Sequence, residues 1–113
     1  MTHERVRLGI SACLLGEAVR FDGGHKRDPF LVESLGQFVD WVPVCPEVES
    51  GLDAPRESMR LVQADGRIRL LTNKTAQDHT TRMHGYARRR VEELVDDALV
   101  GFVLKKDSPT CGL

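Results

Sequence analysis

Arg5-Val6-Arg7-Leu8-Gly9-Ile10-Ser11-Ala12-Cys13 alternates charged and apolar side chains and then turns apolar. That is the pattern of a β-strand whose end delivers a cysteine. Downstream, Phe21-Asp22-Gly23-Gly24-His25-Lys26 is rich in turn residues and marks a long loop. Asp28 then has the character of an N-cap with Pro29 at the first helical position. Phe30, Leu31, Leu35 and Phe38 would form the apolar face of a short helix, with Gly36 weakening its end. Trp41-Val42-Pro43-Val44 is a second strand, and its proline suits an edge strand or a strand end. A strand–helix–strand order implies a right-handed crossover and a parallel pair.

Met59-Arg60-Leu61-Val62-Gln63 and Arg67-Ile68-Arg69-Leu70-Leu71 flank Ala64-Asp65-Gly66, which predicts a hairpin, because a tight turn of this kind needs positive φ. Asp78, Thr80 or Thr81 then caps a long helix reaching to about Leu99. In it Met83, Tyr86, Ala87, Val91, Leu94, Val95 and Ala98 recur at three- and four-residue spacing, as a core-facing stripe does. Val100-Gly101-Phe102-Val103-Leu104 is a third short apolar strand, feeding a polar loop that ends at Cys111. The fold class expected is α/β: a three-layer Rossmann-like domain over residues 1–113, with a small, mainly parallel sheet and an inserted β-hairpin. Because the chain stops two residues after Cys111, it is expected to be the N-terminal part of a longer protein.

A net charge of −1, with basic and acidic residues interspersed, gives no electrostatic reason to expect a nucleic-acid partner. The basic run Arg88-Arg89-Arg90 is followed at once by Glu92 and Glu93, as on a solvated helix face. There is no apolar leader segment and no stretch approaching the ~20 apolar residues of a membrane span. A cytoplasmic location is expected, where cysteines stay reduced.

The chemistry-bearing residues gather at strand ends. Cys13, Cys45 and Cys111 each follow an apolar run and sit among Ser, Pro, Gly or Glu. If the three runs lie side by side, their cysteines emerge at the ligand-binding edge of an open α/β sheet. Three convergent thiolates hold a metal or an iron–sulfur cluster with one coordination position open. Their long separations exclude the paired spacing of zinc fingers and the short-spaced ferredoxin run. Zinc with three thiolates and a water is a competing arrangement, and three unrelated buried cysteines are the bland alternative.

Lys105, Lys106 and Arg20 are candidates to stabilise thiolate charge. Glu47, two residues past Cys45, is a candidate base for activating water, or else a first-turn helix residue complementing the dipole. Ser108 is a candidate to hold or protonate a substrate, or to cap its turn. Among the histidines, His25 is the site candidate, because loops at strand exits carry function. Asp22 more simply braces its own loop, and Trp41 and Tyr86 have the look of core residues with a polar handle.

The blocks that carry these residues resemble the thiouracil desulfurase family. The resemblance lies in Ser-Ala-Cys-Leu-Leu-Gly-x-x-Val-Arg-Phe-Asp-Gly-Gly-His-Lys at residues 11–26, in Val42-Pro43-Val44-Cys45-Pro46-Glu47-Val48, and in Lys105-Lys106-Asp107-Ser108-Pro109-Thr110-Cys111-Gly112-Leu113. Gly51-Leu52-x-x-Pro55-Arg56 and Asp65-Gly66-Arg67 are similar too. The resemblance implies a [4Fe–4S] cluster held by Cys13, Cys45 and Cys111, with the fourth iron open. It implies non-redox removal of sulfur from a thiolated pyrimidine such as 2-thiouracil, releasing uracil and sulfide. Glu47 would activate water and Ser108 would assist with protons or substrate placement. Longer members carry a C-terminal helical domain, so the resemblance implies such a domain as a partner outside residues 1–113. The alternatives are a non-catalytic metal- or cluster-binding module and a zinc-dependent hydrolase with Glu47 as base.

Overall fold

The computed structural model describes residues 5–110. β1 (Val6–Ser11) is the centre of a three-stranded parallel sheet, with β2 (Val39–Val44) on one side and β5 (Gly101–Val103) on the other. The register runs from Val6 opposite Val39 to Ser11 opposite Val44, and from Leu8 opposite Gly101 to Ile10 opposite Val103. Because β1 is flanked on both sides, its end is the best-buried part of the core: Ile10 is fully inaccessible, Ser11 is buried next to it, and Val44, opposite Ser11 on β2, is buried with them. Pro43 sits on β2, an edge strand, where a missing N–H costs the ladder least.

β3 (Met59–Ala64) and β4 (Arg67–Thr72) form a separate antiparallel hairpin. Asp65 and Gly66 both have positive φ, at 51° and 75°, as a two-residue primed turn requires. A single helical turn, α1 (Pro46–Glu49), leaves β2, and the long helix α2 (Thr80–Asp96) follows the hairpin. The architecture is therefore mixed α/β, with a small parallel sheet and an attached hairpin, as the strand and turn signals indicate. Among the described residues no helix is long and apolar enough to cross a membrane.

Two helix expectations need correcting. The segment after Pro29 is not a regular α-helix but a π-helical turn over Phe30–Ser34 followed by a 3₁₀ turn over Leu35–Gln37. Asp28 does accept the Leu31 N–H at 3.2 Å, so the N-terminal signal holds. Gly36 then lies against Trp41, and Arg5 draws in the carbonyls of Gly36 and Val39, at 2.6 Å each, in place of a continuing helical ladder. Phe30 and Phe38, placed on the apolar face by spacing, are exposed.

In α2 the stripe is only partly used. Tyr86 is buried and Met83 and Leu94 are half-buried, but Val91 and Val95 are 57% and 72% exposed. α2 packs on α1 and on β4 of the hairpin, and these two short elements leave Val91 and Val95 uncovered.

Candidate functional site

The ends of β1, β2 and β5 each feed one wall of the site. After β1 the chain makes a 3₁₀ turn, Ala12–Leu15, that carries the buried Cys13. The Cys13 carbonyl accepts from the Gly16 N–H at 3.2 Å and the Lys26 N–H at 2.9 Å, so the glycine-rich loop closes back on this cysteine. Within that loop Asp22 accepts the Gly24 N–H at 2.8 Å, the bracing role its position suggests.

After β2, Cys45 is the N-cap of α1, and its N–H is accepted by Glu49 at 2.9 Å. Glu49 also accepts from the Tyr86 hydroxyl at 2.7 Å and lies 3.0 Å from Arg90 Nε. α2 thus braces the Cys45 turn through one carboxylate. Burial, reinforced by the hydrogen bond to Glu49 and its charge, pushes the Tyr86 phenol well above its usual range. Arg90 is correspondingly drawn out of the solvated face that its basic run suggests, pairing with Glu49 and Glu93.

After β5, the Lys105 N–H is accepted by Ser11 Oγ at 2.9 Å, which ties the last loop to the buried end of β1. Ser108 Oγ accepts the Thr110 N–H at 3.3 Å and so shapes its turn.

These walls enclose a cavity of about 170 Å³. Cys13, Cys45, Glu47 and Ser108 all line it, as do Arg20 and Lys105. Val19, Phe21, Val44 and Met59 add apolar surface. Cys45, the N-cap, and Glu47, in the first turn of α1, both face this cavity. Lys106 and His25 are exposed and do not line it. His25 Nδ1 accepts the Arg27 N–H at 3.1 Å instead. Cys111 lies outside the described residues; Thr110, immediately before it in sequence, lines the cavity.

Glu47 is held from both sides. Arg56 Nε donates to Oε1 at 2.8 Å, and Thr110 Oγ1 donates to Oε2 at 2.8 Å. The Arg56 and Glu47 side chains are only 10% and 12% exposed, so this is a charge-assisted pair in a largely water-excluded place. Arg56 Nη2 also donates to the Val19 carbonyl at 2.8 Å and Nη1 to the Asp53 carbonyl at 3.2 Å. The residue-by-residue reading of the sequence gave neither Arg56 nor Thr110 a role. The available signals were the Pro55-Arg56 block and the hydroxyl between Pro109 and Cys111.

The model of the 2-thiouracil desulfurase family matches residues 8–113. The chain belongs to the 2-thiouracil desulfurase family. A solved structure similar to it is the [4Fe–4S]-dependent thiouracil desulfidase TudS, with a TM-score of 0.80 at 29% identity. That match covers 96% of this chain and 70% of the solved one. No curated protein matches the chain.

For a thiouracil desulfurase the donor chemistry of the cavity is suitable: two cysteines from different strand exits share it, with a soft-metal preference. Among the described residues no three His, Cys, Asp or Glu side chains gather as a metal site. The third cysteine of the sequence, Cys111, follows directly on a cavity-lining residue.

Proposed function

We propose that this protein is an iron–sulfur-dependent, non-redox desulfurase of a thiolated pyrimidine such as 2-thiouracil. The supporting observation is one cavity that takes Cys13 and Cys45, a carboxylate at Glu47 and a hydroxyl at Ser108 from the three strand exits. Cys13, Cys45 and Cys111 would hold a [4Fe–4S] cluster. Three thiolate ligands on such a cluster leave one iron as an open, sulfur-seeking Lewis acid that polarises a C=S bond.

The remaining work falls to the chain. Glu47 accepts a proton from the water that attacks the ring carbon, and Ser108 places the ring or returns a proton to it. The apolar wall of Val19, Phe21 and Met59 excludes bulk water from the pyrimidine. Overall, water oxygen replaces the thiocarbonyl sulfur, which leaves as hydrogen sulfide. The carbon keeps its oxidation state, so no electron donor is consumed. A reducing cytoplasmic setting suits cysteines with this task.

The test is anaerobic reconstitution followed by turnover of 2-thiouracil. The protein should take up about four irons and four acid-labile sulfides and release uracil and sulfide in equal amounts. Glu47→Gln should keep the iron and lose roughly 10²- to 10⁴-fold in rate, the usual contribution of a general base. Stoichiometric zinc without sulfide would overturn the cluster in favour of a hydrolase. A fully loaded protein that releases no uracil would reduce it to a binding module.

A further inference from the structure

We propose that Arg56 and Thr110 are positioning residues, a two-sided clamp that fixes the plane of the Glu47 carboxylate at the cavity. The functional part of this proposal rests on the desulfurase reading; the clamp itself rests on geometry. A carboxylate has two oxygens and about four lone-pair sites. Arg56 Nε takes one site on Oε1 and Thr110 Oγ1 takes one on Oε2, each at 2.8 Å. Each oxygen keeps a second site, so the group is anchored without being used up.

The last torsion of a glutamate is broad, and a single tether leaves the carboxylate plane free to turn. Two tethers from opposite sides remove that freedom. The anchors are themselves fixed. The guanidinium of Arg56 is shared among Glu47, the Val19 carbonyl of the glycine-rich loop and the Asp53 carbonyl. Thr110 belongs to the loop tied to β1 through Lys105 and Ser11. Glu47 therefore takes its orientation from the β1 exit and the β5 exit together. A base aimed at one water needs that, because displacement by about 1 Å can cost on the order of 10²-fold in rate.

The obvious structural alternative is that the pair only staples loops. Thr110→Val and Thr110→Ser separate the two, since valine keeps the shape without the hydroxyl and serine restores the donor. In the reconstituted full chain, Thr110→Val should keep its iron, sulfide and KM for 2-thiouracil. Its kcat should fall by roughly tenfold to a hundredfold. Thr110→Ser should recover most of that loss, and Thr110→Val added to Glu47→Gln should cost nothing more. Arg56→Met should behave like Thr110→Val where it folds.

Independently of turnover, a crystal structure of Thr110→Val should show the Glu47 carboxylate rotated away from its wild-type plane. An unmoved carboxylate would overturn the clamp, whatever the activity. An unchanged kcat in Thr110→Val, or a fall in kcat matched by loss of iron, would overturn its role in the reaction. A wild type that carries a full cluster but releases no uracil would instead sink the desulfurase reading, and the crystal structure would still decide whether the clamp exists.

Discussion

At the scale of single residues, the parallel sheet depends on what is missing at position 9. Gly9 sits on β1 opposite Phe102 of β5. A Cβ built there would lie 2.2 Å from Phe102 Cδ2 and 3.0 Å from Leu99 Cδ1. The aromatic ring lies over β1 only because no side chain occupies that spot. Gly9→Ala should destabilise the protein by about 1–3 kcal/mol through overpacking, measured as a lowered urea midpoint with an unchanged m-value. A neutral result would mean that the Phe102 ring can turn aside without loss.

The same scale marks how far site residues can be read from sequence. The cysteines, Glu47 and Ser108 declare themselves by residue type and by position at strand exits. Arg56 does not, because it stands in a loop between α1 and β3 and nothing in its spacing points to the cavity. Its role arises only when the loop folds back on Val19 and Glu47.

At the scale of elements, the hairpin and α2 are joined by a turn that one carboxylate organises. Glu57, just before β3, accepts the N–H groups of Lys74 and Thr75 at 2.5 and 2.8 Å and the Thr75 hydroxyl at 2.9 Å. The Thr75 N–H foremost, with the Lys74 N–H and the Thr72 and Thr75 side chains, lowers the Glu57 carboxyl from an ordinary 4.5 to about 2 against a smaller opposing effect of burial. A folded-state pKa below the unfolded one gives stability that is complete above about 4.5 and is lost as pH falls through about 2. Glu57→Gln should therefore lower the urea midpoint at neutral pH, with the gap to wild type closing between pH 4.5 and about 2. A gap that stayed constant across that window would show that the turn is held by shape rather than by charge.

Elements also set the limit of legibility. The hairpin is readable because Asp65-Gly66 encodes a local conformation that needs no tertiary partner. The faces of the helices are not, because periodicity reports only that a stripe is apolar, not that something covers it. Val91 and Val95 repeat at the right spacing and are exposed, while Arg90, in a basic run, is the residue that pairs with Glu49.

At the scale of the whole molecule, the candidate site is a joint of the sheet and not an appendage to it. Cys13 follows the central strand, Cys45 follows one edge strand, and Thr110 with Cys111 follows the other. A ligand bound by all three exits resists separation of β2 and β5 from β1, so its binding free energy adds to the folding free energy. Anaerobically loaded protein should unfold at a higher temperature than the same protein stripped of iron, with cluster absorbance lost in step with the helical signal. Replacing Cys45 by Ala removes one exit from the joint and should abolish both iron retention and the difference in melting temperature. Cys13→Ala and Cys111→Ala should do the same. If iron left well before the fold melted, and the stripped and loaded proteins then unfolded together, the group would be held at the rim of the sheet without bracing it. In that case the stability of this small three-stranded core would rest on β1 and its two neighbours alone.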